Sequence, residues 1–279
     1  MHKLVSFNHE VLPSNQPSIK AISSSSLYGR GVFTTVAFYN SKPFLWEKHW
    51  RRLNENAEKL GVNISKFDKT NVENALAEIA KRNEVIDGRC RLTFFDESSR
   101  KIWQSSTENE ASLLIQTADF REVKKRTSLT LSPYIINSSS PLAGVKSCNY
   151  LENILALEEA KKDDFDEAIR INEKNKIVSA CMANVFWYEY DKETLFTPSL
   201  KTGCLAGTIR GFLMENYHVV EVEKEINELL RDAEYLFLTS SGINVAQVAD
   251  FDREIKFQKK SHPLTKAVEN ELRNGSATA

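Results

Sequence analysis

Hydrophobic and polar positions follow two different rhythms along this chain, and the rhythms mark out its elements. Val32 to Tyr39 is rich in Val, Phe and Thr, and a short break at Asn40-Ser41 leads into Lys42–Trp46, which predicts a hairpin. From Glu47 to Leu60 the spacing changes. Trp50, Leu53, Ala57 and Leu60 recur at helical intervals, and Gly61 follows as a C-cap. Lys69–Arg82 predicts a second amphipathic helix, while Arg89–Phe95 and Ser112–Thr117 return to strand character on the same small sheet. The polar, Ser-rich stretch Asp96–Glu110 between these strands reads as a loop.

The charged stretch Ala118–Arg126 has no clear period and reads as a linker. Beyond it come a strand near Ser128–Tyr134, a loop over Asn137–Gly144 and a helix from Asn149. Leu151, Ile154, Leu155 and Leu157 would form the buried face of that helix, and Asn149 with Glu152 fits a capping box. Alternating strands and short helices continue to a last helix over Pro263–Arg273, and Asn274–Ala279 is expected to fray. The pattern divides into a small N-terminal domain over 1–120 and a larger C-terminal domain over 127–279. There is no internal repeat and no low-complexity segment.

Composition narrows the function without naming it. A chain of 279 residues, 41% apolar and 27% charged, is that of a globular protein with room for two cores. The net charge is −1 and the basic residues are scattered, so neither nucleic acid nor a membrane is expected as a partner. No apolar run approaches the ~18 residues of a membrane span, and the opening Met1-His2-Lys3-Leu4 lacks the apolar core of a signal peptide. A cytoplasmic location is expected. Cys90, Cys148, Cys181 and Cys204 lie far apart, and the five histidines are isolated, so neither disulfides nor a metal is expected. Glycine is scarce: ten residues, about half the usual ~7%, with seven of them in four short segments, Gly29 and Gly31, Gly144, Gly203 to Gly211, and Gly242.

Those segments carry the candidate chemistry. Lys146 ends Leu142-Ala143-Gly144-Val145-Lys146, close to the helix expected from Asn149. An apolar lead-in and a helix N-terminus both disfavour an ammonium ion, and a lysine of lowered pKa can form a Schiff base with an aldehyde. Taken alone, Lys146 reads first as an ordinary surface lysine. In Gly203-Cys204-Leu205-Ala206-Gly207-Thr208-Ile209-Arg210 a Gly-containing turn opens a helix at Thr208, whose first backbone N–H groups suit a phosphate. Leu238-Thr239-Ser240-Ser241-Gly242 ends a strand in three hydroxyls, which is also the chemistry of an ordinary polar turn. Arg52, beside Arg51 on the first long helix, offers either a solvated charge or a planar fork for an anion.

The order of these motifs is more telling than any one of them. Tyr28-Gly29-Arg30-Gly31-Val32-Phe33-Thr34-Thr35 with His49-x-x-Arg52-Leu53 resembles the N-terminal signature of the class IV aminotransferase family, the fold-type IV pyridoxal-phosphate enzymes. Lys146-x-x-Asn149-Tyr150-Leu151-Glu152-Asn153 and Asp166-Glu167-Ala168 resemble the segment bearing that family's Schiff-base lysine. Asn184-Val185-Phe186, Thr197-Pro198, Gly203–Arg210 and Phe237–Ser241 continue the likeness to about residue 250.

The resemblance implies an α+β, two-domain enzyme with a small N-terminal α/β domain and a larger, β-barrel-like C-terminal α/β domain that binds pyridoxal 5'-phosphate. It further implies that Lys146 carries the cofactor and shuttles the proton. Arg52, the backbone N–H groups of Thr208 and Ile209, and a hydroxyl of Ser240 or Ser241 would hold the phosphate. Tyr150 would lie close to the ring, and Tyr28, Phe33 and Thr35 would line a substrate pocket between the domains. A small, amino-acid-like substrate and a homodimer are expected on the same ground.

The sequence also departs from the family. A Glu normally stands five residues before the Asn of Asn-x-Phe and pairs with the pyridine nitrogen; here that position is Ser179. A carboxylate keeps the nitrogen protonated and the ring a strong electron sink, whereas a hydroxyl only hydrogen-bonds a neutral nitrogen; the alternative is that another acid, not visible in the sequence, does the same work. Ala37 stands where many members have Arg, and Asp96-Glu97-Ser98-Ser99-Arg100 replaces an Arg-Gly run. Three functions remain in view. The first is an aminodeoxychorismate lyase-like enzyme, towards which Ser179, Phe33-Thr34-Thr35, Leu142–Lys146 and Asn184–Trp187 tilt. The second is a D-amino-acid or branched-chain transaminase, and the third a pyridoxal-phosphate-binding protein with little catalysis.

Overall fold

The computed structural model describes residues 1–98, 110–120 and 127–274. Most of the expected Asp96–Glu110 loop with Arg100, most of the expected linker and nearly all of the expected C-terminal tail lie outside the described residues. Contacts group the chain into two compact units, one of residues 1–120 with Lys146–Asn149 and the stretch from Leu272, the other of residues 121–145 with 150–271. Lys146 therefore belongs by its contacts to the first unit, although the chain on both sides of 146–149 belongs to the second.

The first unit contains β1 (Leu4–Phe7), β2 (Glu10–Pro13), α1 (Ser24–Tyr28), β3 (Gly31–Tyr39), β4 (Lys42–Pro43), α2 (Trp46–Leu60), α3 (Lys69–Arg82), β5 (Gly88–Asp96) and β6 (Ala111–Ala118). The strands form an antiparallel sheet in the order β2-β1-β6-β5-β3-β4. The β3–β4 hairpin turns on Asn40 (φ 50°) and Ser41 (φ 61°), the two left-handed residues of a type I′ turn. Val32, Val36 and Phe38 of β3 pack with Leu53 and Ala57 of α2, Leu76 and Ile79 of α3, and Leu92, Phe94, Leu113 and Ile115 of the sheet. Each such side chain contributes about 1.5–3 kcal/mol by leaving water.

Helix α2 ends as expected at Gly61, whose left-handed backbone lets its amide bond the Ala57 and Glu58 carbonyls. Its buried face differs from the expected apolar stripe. Trp50 and Leu60 are only half-buried, while His49, Arg52 and Asn56 are buried beside Leu53 and Ala57. Counting apolar residues alone misses polar groups that sit at the same helical spacing. Residues 146–148 run along the N-terminal half of β3: Phe33 N–H donates to the Lys146 carbonyl (3.0 Å), Cys148 N–H to the Gly31 carbonyl (2.9 Å), and Ser147 bridges Val32.

The second unit contains β7 (Thr127–Leu131), α4 (Leu151–Lys162), β8 (Glu167–Ile171), β9 (Ile177–Ala180), β10 (Asn184–Glu189), β11 (Thr194–Pro198), α5 (Thr208–Asn216), β12 (Val219–Val222), α6 (Ile226–Asp232), β13 (Tyr235–Ser240), β14 (Asn244–Phe251) and β15 (Ile255–Lys256). A last helix, α7 (Pro263–Asn274), ends the described chain. The strands form a curled, mixed sheet ordered β12-β11-β10-β13-β14-β7-β8-β9, with β15 on β14. Leu129, Ile169, Val185, Trp187, Leu236, Leu238 and Val248 fill its core.

Helix α4 corrects two expectations. It starts at Leu151 with Tyr150 as N-cap and no side-chain cap, so the Asn149–Glu152 capping box does not form. Asn149 Nδ2 instead donates to the Gly29 carbonyl (3.0 Å), and Glu152 pairs with Arg170. The buried face consists of Ala156, Leu157 and Ala160 against Ala168 and Cys181. Leu151, Ile154 and Leu155, expected inside, are 67%, 39% and 43% exposed. Small residues let the helix approach β8 closely, and this places the larger aliphatic side chains on the outer face.

Candidate active site

In the first unit, three separate elements converge on Lys146. The lysine is half-buried, and burial together with the charges of Arg52 and Arg91 holds its amine well below the ordinary lysine range. Of the two expected causes, burial leads, while helix α4 starts five residues later and the guanidinium groups of Arg52 and Arg91 are the charges that act. Both charged groups acting on the amine are cations, so the neutral form is favoured. The Lys146 Nζ lies 4.4 Å from the Phe33 ring centroid, and the Arg91 guanidinium stacks on the same ring at 3.7 Å.

The alternation of β3 sorts its side chains between two faces. Phe33 and Thr35 share one face with Arg91, the register partner of Thr35. Thr34 points to the other face, beneath α2, where Arg52 Nη2 donates to Thr34 Oγ1 (2.8 Å) and His49 Nδ1 lies 2.6 Å from the same oxygen. Burial, then Arg52 and Lys146, hold His49 well below the ordinary histidine range. Arg52 is only 8% exposed while its neighbour Arg51 is exposed, so the two adjacent arginines separate into an inner and an outer charge.

Gly29, at φ 64°, ends α1, and a Cβ there would lie 2.6 Å from Asn149 Oδ1. The Tyr28–Gly31 and Lys146-x-x-Asn149 motifs thus meet through a glycine that no other residue can replace without strain. Tyr28 itself is exposed at the end of α1 and makes no hydrogen bond or ring contact to Lys146 among the described residues. Asp96 and Glu97, where a basic run was noted as missing, are buried. Asp96 accepts from Ser98 N–H (3.0 Å) and Glu97 from Lys20 N–H (3.1 Å).

In the second unit, α5 opens at Gly207 with no side-chain cap over its first amides, those of Thr208 and Ile209 among them. Thr208 Oγ1 lies 3.1 Å from Ser241 Oγ, which brings the helix start to the turn after β13, next to half-buried Ser240. Asn184 at the start of β10 donates from Nδ2 to the Leu205 carbonyl (2.8 Å), and a Cβ on Gly207 would overlap Asn184 Oδ1. The Asn of Asn-x-Phe is therefore the clamp on the loop that presents these amides. The sequence motifs contain Asn184, His49 and Thr34 without a role for them, and Arg91 lies only within the Arg89–Phe95 strand. Only the strand register and the inner face of α2 reveal one.

Ser179 is half-buried on β9, with Arg170 of β8 as its cross-strand partner. Antiparallel partners share a face with Cβ atoms about 4.5–5.5 Å apart. Arg170 is 1% exposed, donates to the Tyr134 (3.2 Å) and Ile135 (3.3 Å) carbonyls and pairs with Glu152. Glu167 accepts from Met182 N–H (3.3 Å), and burial, with Glu167 next, pushes the nearby Cys181 thiol up to about 12. Tyr150 is half-buried at the N-cap of α4.

Each unit by itself offers donors that suit pyridoxal 5'-phosphate: in the first, an amine whose neutral form is favoured and a buried guanidinium, and in the second, an uncapped helix start with two hydroxyls. Among the described residues no cluster of His, Cys, Asp or Glu could hold a metal ion, and no helix is long and apolar enough to cross a membrane.

Comparison with known proteins agrees with this chemistry. The family model Amino-transferase class IV matches residues 31–251. Aminodeoxychorismate lyase of Bacillus subtilis is 28% identical over 255 residues, covering 87% of this chain and 84% of that protein. D-alanine aminotransferase of Bacillus licheniformis is 24% identical and covers 97% and 96%. The branched-chain amino acid aminotransferase of Escherichia coli superposes with a TM-score of 0.87 at 18% identity, covering 100% of this chain and 96% of that one, and shares its fold.

Proposed function

Since this chain belongs to the amino-transferase class IV family and is a pyridoxal-phosphate-dependent enzyme of that kind, we propose that its reaction is lyase-like: elimination of pyruvate from 4-amino-4-deoxychorismate, giving 4-aminobenzoate. The observation that carries the reading is Ser179, a hydroxyl with the buried cation Arg170 across the strand, where the family resemblance calls for a carboxylate. The cofactor, when bound, supplies an electron-withdrawing ring that stabilises negative charge at the adjoining substrate carbon. A hydroxyl beside a guanidinium does not keep the ring nitrogen protonated, so that sink is weak. Elimination suffers less, because the leaving group carries electron density away.

The chain's own residues take these roles. Lys146 Nζ, its neutral form favoured by burial and its two arginine neighbours, would hold the aldehyde and carry the proton at the substrate carbon. Arg52 would supply a charged contact to the phosphate; the Thr208 and Ile209 amides and a hydroxyl of Ser240 or Ser241 would supply neutral ones. Tyr150 would be the ring's neighbour, and Phe33 and Thr35 with Tyr28 would face the substrate. The exposed stripe Leu151, Ile154 and Leu155 on α4 supports a homodimer, since exposed aliphatic side chains at i, i+3 and i+4 suit burial against a second copy.

A transaminase is the second reading, favoured by the near full-length likeness to D-alanine aminotransferase. The test is to offer the purified holoenzyme aminodeoxychorismate and a panel of D- and L-amino acids, following 4-aminobenzoate, pyruvate and the cofactor spectrum. Transamination of a common amino acid near the enzyme median of ~10 per second, without 4-aminobenzoate formation, replaces the first reading with the second. Ser179→Glu is expected to raise transamination relative to elimination once its cofactor occupancy matches wild type.

A further inference from the structure

We infer that His49 is a positioning residue: through the Thr34 hydroxyl it fixes the Arg52 guanidinium in the orientation that receives a phosphate. The inference rests on the reading of Arg52 as a phosphate ligand. Thr34, His49 and Arg52 are 0%, 1% and 8% exposed, and they form a polar inlay in a largely apolar face that also buries Asn56. Two elements build it. His49 and Arg52 stand three residues apart on the inner side of α2, and Thr34 projects from β3 beneath them.

Donor and acceptor counting fixes the direction of the chain of bonds. A guanidinium only donates, so Thr34 Oγ1 accepts from Arg52 Nη2 at 2.8 Å. The hydroxyl has one hydrogen of its own, and His49 Nδ1 at 2.6 Å can accept it when the imidazole is neutral with its proton on Nε2. An imidazolium would aim a second cationic donor at the same oxygen and place a second positive charge beside Arg52, which agrees with the downward displacement of its pKa. Buried polar triads cost desolvation, and apolar residues of similar volume would stabilise the same helix–sheet contact at least as well. The inlay is explained by what it does to Arg52. A long side chain held in place before its ligand arrives loses little rotamer freedom on binding.

The test compares pyridoxal 5'-phosphate with pyridoxal, which lacks only the phosphate, as ligands of the cofactor-free protein, by equilibrium dissociation constants. Thr34→Val and His49→Leu are expected to weaken pyridoxal 5'-phosphate about tenfold, the worth of one immobilised side chain, and to leave pyridoxal within about twofold. Thr34→Ser and His49→Asn, which keep the hydroxyl and an acceptor, are expected to restore wild-type selectivity. In an Arg52→Ala background, Thr34→Val should have no further phosphate-selective effect, because its only route to the ligand is gone. Equal losses for both ligands, or an undiminished Thr34→Val effect without Arg52, overturn the inference and leave the Arg52 reading intact. If Arg52→Ala itself weakens both ligands equally, the phosphate reading of Arg52 fails and the inference falls with it. Should His49→Leu not fold, the Thr34→Val and Thr34→Ser pair decides alone.

Discussion

The surroundings of Lys146 and the start of α5 both suit an anionic, aldehyde-bearing ligand, but they use different physics. Around Lys146 the work is done by side-chain charge: Arg52 and Arg91 act on the amine, and His49 stays neutral beneath them. At α5 the donors are backbone amides and hydroxyls with no net charge, presented by a loop that Asn184 clamps. Charges act over several ångströms and couple to one another, whereas neutral hydrogen bonds act one at a time. The charged region should therefore respond sharply to single substitutions, and the neutral one in small, separable steps.

The largest expected effect is at Lys146. Lys146→Ala should abolish the visible absorption of the attached cofactor, and borohydride reduction of wild type should label the peptide containing Lys146. A label on any other lysine would sink the site assignment. Next comes Arg52→Ala, expected to weaken cofactor retention by about 2–3 kcal/mol through loss of charge-assisted hydrogen bonds, with Arg51→Ala near wild type. Equal retention in the two variants would erase the contrast between inner and outer arginine.

Smaller effects are expected in the second unit. Gly207→Ala should lower both stability and cofactor affinity by about 1–3 kcal/mol, since its Cβ overlaps Asn184 Oδ1 and the loop must shift. Ser241→Ala should cost about 0.5–1.5 kcal/mol in cofactor affinity, as one neutral hydrogen bond does. A loss there as large as that of Arg52→Ala would contradict the proposed division of labour.

The smallest expected signal is a slope. His49 has a folded-state pKa below its ordinary value, so below about pH 6.5 the unfolded chain takes up a proton that the folded chain refuses, and stability falls with falling pH. Thr34, Arg52 and Lys146 are the groups facing it. His49→Asn should flatten this part of the urea stability profile between pH 7.5 and pH 5 and leave the region above it unchanged.

Much of this was legible in the sequence where one short pattern sets one local structure. The Asn40-Ser41 hairpin, α3 over Lys69–Arg82 and the Gly61 stop follow from turn chemistry and periodicity alone. The family resemblance came from ordered motifs, and its fold was found. The misses share a cause. The buried face of α4 is made of alanines, which carry little weight in a hydrophobic pattern, and Asn149 spends its side chain on Gly29 rather than on a helix cap. Thr34, His49 and Arg91 acquire roles only from neighbours distant in sequence, such as the β3–β5 register that sets Arg91 over Phe33.

The bridge between Val32 and Ser147 has a consequence for the order in which the protein is made. All six strands of the first sheet lie within the first 118 residues, so that sheet has its strands, helices and hairpins before the lysine leaves the ribosome. Lys146 reaches it by closing a long loop, at an entropic cost that grows only slowly with loop length. Its amine meets Arg52 and Arg91 at that late step and not before. A nascent chain with a finished first sheet thus holds its arginines and its histidine but no reactive amine, and the ability to capture an aldehyde arrives only when the 146–148 segment joins β3.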